Sequence, residues 1–537
     1  MTELGRRGFL TSAVLGGVAL GIGGTGTAAA EPAADGTGCG PDFGPVTVTP
    51  ADPRYPSLQD VYNTRYTPKP GAVRLAGSTE QVVAVVNEAV AAGKRIVPRS
   101  GGHCFENFTS SPDIEVLLDL SQLSEIRHDT KRNAIEVGTG ATLGQVYRTL
   151  FKRWGITIPG GSCFQVGAGG HFAGGGYGHL SRRYGMVSDH LYAVEVVVVD
   201  QSGKARAVVA TREPDDPNRD LWWAHSGGGG GNFGVVTRYW LRSPGVTSTD
   251  PGLLMPKGLR AGRRRNVTWS WDTLTEAALT KIIRNFSTWY ERNSAPGTPA
   301  TKLWSVLNVS HRSASEAWMV AVIDDDVPGA DTLLNSHVDA VLAGTGVKPV
   351  SDAVSVVPWM TQQGWPPDEV NGRYKHKGGD LRKGFDDAQL ATIYRHIGST
   401  DYTNPAAFFS LNGYGGQVNA PAPDATATST RDAVLRAVFS TGMWESAADD
   451  ARHLAWVRKF YREVYASTGG VPVPGETNAG CYINYADNDL ADPALNTSGV
   501  GWQTLYYKGN YPRLQQIKKR YDPRNIFHHT LSIELPG

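Results

Sequence analysis

Cysteine is scarce in this chain. Four occur among 537 residues, at Cys39, Cys104, Cys163 and Cys481, with no C-x-x-C pair. That spacing excludes a regular disulfide framework, and it leaves the pairing of Cys39 with Cys104 open. His103, Cys104, Cys163 and His171 match no common zinc spacing, so no metal site is expected. A surplus of either charge is missing too: 52 Lys and Arg face 51 Asp and Glu, a net charge of +1. Nucleic acid as a partner would call for a basic excess gathered on one face. The short basic run from Arg260 to Arg265 reads as a solvated loop. Past Gly24, no stretch approaches the ~18 apolar residues of a membrane helix. Two nucleotide fingerprints are absent as well. No Gly-Lys-Ser/Thr closes a glycine-rich stretch, which removes a Walker loop. The G-x-G-x-x-G spacing is met at Gly229, Gly231 and Gly234, but a helical segment precedes it and a strand follows, the reverse of a dinucleotide turn.

What the chain has in quantity is glycine, 64 residues, and it is clustered. Clustered glycine lets backbone approach something closely or supplies positive φ. Three stretches carry it: Arg99-Ser100-Gly101-Gly102-His103, the segment from Gly160 to Gly178, and Ser226 followed by five glycines, Asn232, Phe233 and Gly234. Backbone N–H groups freed in this way form anion-binding concavities without a helix N-terminus. A phosphate-rich ligand held on loops is the expectation.

The N-terminus sets Arg6 and Arg7 ahead of an apolar, Gly/Ala-rich run to about Gly24, with small residues at Ala28 to Ala30. That order is what a twin-arginine export signal needs. Residues 1–34 are therefore expected to be a removable signal. The mature protein would be secreted or extracytoplasmic, with no stable membrane association. Residues 31 to about 65 are rich in Pro, Gly and Ala and read as surface chain. The length implies two domains. Helices and strands alternate from Val73: Ser78 caps a helix carrying Val82, Val83, Val86 and Ala89 on one face, and a strand at 95–99 runs into His103. Segments 191–200 and 205–210 read as a hairpin and 234–239 as a strand. Near Pro244 the character changes. β-rich segments at 267–271, 303–309 and 318–323 then alternate with amphipathic helices at 275–290 and 447–467. The fold class expected is α+β: a first domain over 66–246, a second over 247–480 with an antiparallel sheet flanked by helices, and a segment 481–537 that returns to the first.

Five motifs in this order resemble the berberine bridge enzyme family of FAD-linked oxidases, within the vanillyl-alcohol-oxidase superfamily. They are R-S-G-G-H at 99–103, G-S-C-x-x-V-G-x-G-G-H-x-x-G-G-G-x-G from Gly161, G-G-G-G-N-F-G-V-V from Gly228, Asn484-Tyr485-Ala486-Asp487, and Asp522-Pro523-Arg524-Asn525-Ile526-Phe527. The similarity covers nearly the whole chain after the signal and is greatest to the bacterial carbohydrate-type oxidases. It implies a PCMH-type FAD-binding domain with FAD bound covalently through His103 to the flavin 8α-methyl and through Cys163 to C6. Imidazole nitrogen and thiolate are the side-chain nucleophiles able to add to an electron-poor isoalloxazine. The resemblance further places Arg99, Ser100, Gly101 and Gly102, with the backbone of Gly167, Gly169 and Gly170, at the pyrophosphate and flavin edge. Gly174 joins these cofactor-binding positions, His171 stands near the charge of the reduced flavin, and Val235 lies toward the adenine. Val166 sits where oxygen reaches the flavin, and Val there goes with an oxidase.

Hydroxyl oxidation needs a base for the hydroxyl proton while hydride leaves carbon. In the saccharide-oxidising members a tyrosine ahead of an aspartate serves, and Tyr485, beside the cofactor, matches it. Tyr414 is the second candidate, and Tyr482 remains open. A free tyrosine has a pKa of ~10, so the base must be shifted downward by a neighbour. Alkaloid-type members carry a glutamate after a comparable Gly-Gly; here Gln417 and Asn419 follow, which argues for alcohol oxidation. The expected activity is oxidation of a sugar or glycosylated metabolite, with O2 as the second small-molecule partner. A flavin dehydrogenase and a non-catalytic metabolite-binding protein are the alternatives. Trp304, Trp359, Trp365 and Tyr374 have the faces to stack on such a ligand.

Overall fold

The computed structural model describes residues 44–364 and 370–537. The first sheet takes β1 (Val46–Val48), β2 (Ala72–Leu75), β3 (Ile96–Arg99) and β4 (Val116–Asp119) in the order β1-β2-β4-β3. β4 runs parallel to both β2 and β3, so the chain needs a crossover. The helix Thr79–Ala91 supplies it. Ser78 Oγ accepts the Gln81 N–H at its start, as a side-chain N-cap should. Its buried face is Val82, Val85, Val86 and Ala89; Val83, expected there, sits at the margin because a 3.6-residue period brings Val85 round instead.

A second sheet joins β5 (Ile126–Asp129), β6 (Ala134–Gly138), β7 (Leu191–Val199), β8 (Ala205–Thr211) and β9 (Val235–Leu241) in the order β5-β6-β9-β7-β8. β7 and β8 form the expected hairpin. Val197, Val199, Ala205 and Val235 of this sheet meet the crossover helix and Ile96, Val116 and Leu118 of the first sheet in one apolar cluster. The helix is thus the layer between the two sheets.

The third sheet has eight strands, every neighbouring pair antiparallel: β10 (Ala261–Ser270), β11 (Leu303–Ser310), β12 (Glu316–Asp324), β13 (Ser351–Pro358), β14 (Arg373–Leu381), β15 (Phe408–Gly413), β16 (Leu435–Trp444) and β17 (Asn478–Gly480), in the order β13-β10-β12-β11-β15-β16-β14-β17. Side chains alternate between its faces. Leu307, Val309, Met319, Ala321, Leu411 and Phe439 pack with helices Glu276–Arg292, Ala330–Leu342, Asp387–Ile397 and Asp450–Val464. Trp304, Val306, Trp318, Val320 and Val322 take the other face. Among the described residues that second face carries no helix layer, and it becomes a wall of the site.

The C-terminal segment packs against Asn232 and the cluster around the crossover helix. Lys518, buried in the helix Tyr511–Tyr521, donates to Asn232 O at 2.6 Å and pairs with Asp522 at 2.7 Å. The Asp522 carboxylate also accepts the Ile526 and Phe527 N–H groups, and Phe527 enters the cluster around the crossover helix.

Two expectations are overturned. Arg260 to Arg265 is not a loop: from Ala261 it is strand β10, with Arg260, Arg263 and Arg265 paired to Asp325, Asp326, Asp331, Asp339 and Asp352. Acidic residues from β13, a turn and a facing helix neutralise the run, so it needs no solvated loop. Residues 44–65 are not simply surface chain either. β1 pairs with β2, and Tyr55, Val61, Tyr62 and Asn63 are buried. The proposed signal, Cys39 and Trp365 lie outside the described residues; among the described residues no disulfide joins Cys104, Cys163 and Cys481. Among the described residues no helix is long and apolar enough to cross a membrane, and no His/Cys/Asp/Glu cluster could hold a metal ion.

Candidate active site

Between the glycine-rich loops and the open face of the third sheet lies a cavity of about 550 Å³. One wall is backbone. It runs through Arg99–Cys104, Gly161–Cys163, Val166–Gly167, Gly169–His171 and Gly229–Asn232. The opposite wall is side chains of the sheet: Trp304, Val306 and Asn308 of β11, Trp318 of β12, Ser410 and Asn412 of β15. Tyr177, Tyr482 and Tyr485 close the space between.

Glycine is required in the backbone wall for two different reasons. At the crossing of the first two loops there is no room. A Cβ on Gly101 would lie 2.4 Å from Gly167 N, and one on Gly167 would lie 2.2 Å from Ser100 Oγ. Gly170 and Gly230, by contrast, face open space: a Cβ on Gly170 would meet nothing within 4 Å, and one on Gly230 only Gly170 Cα at 3.7 Å. A slot lined by bare backbone, with His103 and Cys163 both on its wall, fits a flat, phosphate-bearing cofactor such as FAD.

The expected cofactor residues divide. His103, Ser100, Gly101, Gly102, Cys163, Val166, Gly167, Gly169, Gly170 and His171 line the cavity. Arg99 does too, but its guanidinium is bound to Asp119 at 2.7 Å, its register partner across β3 and β4, so its charge is neutralised within the sheet rather than offered to a pyrophosphate. Gly174 and Val235 are set back from the lining. Gly174 makes room for Asn484, whose Oδ1 would stand 1.9 Å from an added Cβ. The Val235 side chain is core, while its neighbours Gly234 and Val236 reach the cavity.

His103 is oriented by a stack. The Tyr62 ring lies 4.0 Å from it at 18° and 4.8 Å from Tyr374 on its other side at 5°. The Tyr62 hydroxyl meets His376 Nε2 at 3.2 Å, and His376 Nδ1 meets Ser440 Oγ at 2.9 Å. His171 Nε2 accepts the Gly161 N–H at 3.1 Å. Burial and the proximity of His103 push the His171 imidazole down to about 4. It is therefore neutral at pH 7, with its proton on Nδ1.

The tyrosines sort by hydrogen bonding. The Tyr485 and Tyr177 hydroxyls are 2.6 Å apart. The Tyr482 oxygen accepts the Gly176 N–H at 3.0 Å and the Asn484 amide at 2.8 Å, which marks it as a structural acceptor. Tyr414 is fully buried behind Tyr177, donates to Met186 Sδ at 3.3 Å and does not line the cavity. The expected downward shift of the base is not the balance found. Burial, with Tyr177 adding to it, holds the Tyr485 phenol well above its usual value, and the Arg436 guanidinium opposes that rise.

A buried ion network fixes the Tyr485 loop. Asp487 pairs with Lys375 at 2.7 Å and Lys377 at 2.6 Å, both on β14; Asp489 pairs with Lys377 at 2.9 Å and Arg458 at 2.8 Å. Glu106, three positions after His103, pairs with Lys375 as well. One network thus holds both the His103 loop and the Tyr485 loop to β14. Removing one member of such a buried set costs about 3–5 kcal/mol, because its partner's charge stays behind.

Sequence reading missed Tyr177, although it stands inside a quoted motif, and Arg436, whose signal was a lone charge in the apolar run of β16. It also missed Trp318. Of the aromatics named for stacking on a ligand, Trp304 lines the cavity, whereas Trp359 and Tyr374 are buried elsewhere as packing.

A family model described as FAD binding domain matches residues 70–207, and one described as Berberine and berberine like matches residues 481–534. The chain is 49% identical to an aclacinomycin-N/aclacinomycin-A oxidase of Streptomyces galilaeus, over 100% of its own length and 99% of that protein. The solved structure of a glycopeptide hexose oxidase complexed with teicoplanin is similar at 48% identity and a TM-score of 0.89, covering 92% of this chain and 100% of that one. At the level of fold alone, glucooligosaccharide oxidase of Acremonium strictum, described with a 6-S-cysteinyl, 8α-N1-histidyl FAD, gives a TM-score of 0.75 at 20% identity over 92% and 97% of the two chains.

Proposed function

This chain belongs to the berberine bridge enzyme-like family of FAD-linked oxidases, and on that footing we propose that it is an exported, doubly tethered flavoprotein that oxidises a hydroxyl-bearing carbon of a sugar or glycosylated metabolite and passes the electrons to O2. The observation that carries the chemistry is the Tyr485–Tyr177 pair, 2.6 Å apart, on the wall of the same cavity as His103 and Cys163. FAD supplies the hydride-accepting ring, which no side chain of this protein can replace. Tyr485, as phenolate, takes the hydroxyl proton, and its bond to Tyr177 stabilises that phenolate beforehand by a donated O–H. Trp304 and Trp318 offer flat apolar surface to a sugar or aglycone face, while Asn308, Ser410 and Asn412 offer hydrogen bonds to hydroxyls. His103 and Cys163 are the tethers, a reading supported by their shared cavity and by the flavin described in the fold-level relative. The pair Arg6-Arg7 and the apolar run behind it support export.

The test is a panel of oligosaccharides and glycosylated natural products read by peroxide release. One peroxide per substrate oxidised is expected; rapid dye reduction with almost no peroxide would replace the oxidase by a dehydrogenase, and a colourless protein would end the flavoprotein reading. For the tethers, His103→Ala and Cys163→Ala should each keep the flavin on acid precipitation, and the double variant should release it. For export, Arg6→Lys with Arg7→Lys should hold a reporter fused behind residues 1–34 inside the cell.

A further inference from the structure

Arg436 is buried completely in β16, in a strand otherwise apolar around it. Asp380, its register partner on β14, holds it by two bonds, Nε to Oδ1 at 2.6 Å and Nη2 to Oδ2 at 2.9 Å. The third nitrogen, Nη1, has no acceptor at hydrogen-bonding distance. Aromatic rings surround the rest of the guanidinium. Its central carbon lies 4.0 Å from the Tyr482 ring, 4.2 Å from Tyr177, 4.3 Å from Tyr414 and 5.8 Å from Tyr485. Those four tyrosines come from three separate segments of chain, and two of them are the hydrogen-bonded pair at the cavity wall.

A merely structural role does not account for this. Replacing a buried ion pair by apolar residues of similar volume is often neutral or stabilising, and the ring cluster would pack around a leucine. The cation has a chemical use instead. To act as a base the Tyr485–Tyr177 pair must first lose one proton to solvent, which leaves one negative charge shared between two phenol oxygens in a place shielded from water; the substrate's hydroxyl proton then neutralises it. A fixed cation a few ångströms away offsets that charge far better than it would in water. Asp380, on the other side of the guanidinium, orients it and prevents its rotation away.

We propose that Arg436, oriented by Asp380, is the positioning residue that makes the Tyr485–Tyr177 pair competent to take a proton. This rests on Tyr485 being the base of the proposed reaction. The charged and titratable groups facing Arg436 are Asp380, Tyr177, Tyr414, Tyr482 and Tyr485; Arg431, paired with Asp189, stands behind Tyr414. Among them only Arg436 bears a positive charge directly against the rings. It opposes the burial-driven rise in Tyr177, Tyr482 and Tyr485 alike.

The experiment compares the flavin-loaded wild type with Arg436→Gln, Arg436→Lys and Tyr485→Phe. Arg436→Gln should keep its flavin content and lower kcat by roughly 10²-fold. The pH at which kcat reaches half its plateau, and the onset of tyrosinate absorbance on alkaline titration, should both rise by about one unit or more. Arg436→Lys should recover part of both, since it restores the charge without the fork. If Arg436→Gln does not fold, the paired change Arg436→Met with Asp380→Leu removes the ions together and carries the same expectation. Unmoved kcat and pH profiles in these variants, with Tyr485→Phe strongly impaired, overturn the role of Arg436 alone. An unimpaired Tyr485→Phe overturns the base assignment on which it rests.

Discussion

The two walls of the cavity are built by opposite means. The cofactor wall is backbone brought close by glycine, and its contacts are steric limits: at Gly101 and Gly167 an added Cβ would meet another loop at 2.4 Å or less. The substrate wall is the bare face of an antiparallel sheet, where every second residue of β11 and β15 projects a side chain. A wall of the first kind tolerates almost no change, because backbone cannot move aside without moving a loop. A wall of the second kind can exchange side chains one at a time and keep its sheet. The first suits a ligand that never varies, the second a ligand that differs between relatives.

The largest effect should come from breaking the first wall. Gly167→Val puts branched atoms where Ser100 Oγ and Gly101 N already stand, and the expected product is colourless or insoluble; the ratio of flavin to protein absorbance measures it. Recovery of fully loaded flavoprotein would mean the loops can part. Next comes the bridge between the walls. Tyr485→Phe should retain flavin and lower kcat by roughly 10²-fold or more, seen as slow flavin bleaching by substrate in single-turnover mixing. On the substrate wall, Trp318→Ala should leave flavin content intact and raise KM by about tenfold, an energy of ~1.4 kcal/mol, with kcat little changed; a loss of flavin instead would show that the walls are not independent.

The smallest effect is on stability against pH. Burial pushes His179 and His225 from 6.5 down to about 4. A histidine depressed in the fold is protonated in the unfolded chain first, so between pH 6.5 and 4 the unfolded state binds more protons and stability falls as pH falls. Melting temperature should decline across that window, and His225→Gln should flatten part of the decline. A flat profile in the parent protein would indicate that neither imidazole stays neutral in the fold.

Legibility followed the same division. The helix Thr79–Ala91, the hairpin of β7 and β8 and the strand after Gly234 are readable because period and turn residues are local signals. The run Arg260–Arg265 was misread, because the acids that neutralise it lie 60 residues or more away in sequence, as with Asp325 and Arg260 at a separation of 65. The ion pair of Arg99 with Asp119 is not legible for a like reason: it appears only when β3 pairs with β4. Tyr414 was placed in the site by motif, and depth of burial, which no motif records, set it behind Tyr177.

What this sequence determined by itself is the glycine-rich segments of the cofactor wall and the side chains proposed to react there. The clustering of glycine, and the chemical types of His103, Cys163 and Tyr485, are properties of short continuous segments. What only tertiary structure decided is how the proposed proton acceptor is assembled. Tyr177, Tyr485, Asp380 and Arg436 come from four stretches of chain and meet because β14 and β16 pair in one register and the C-terminal segment folds back beside them. Electrostatic effects depend on distance and burial, and neither is written in the order of residues.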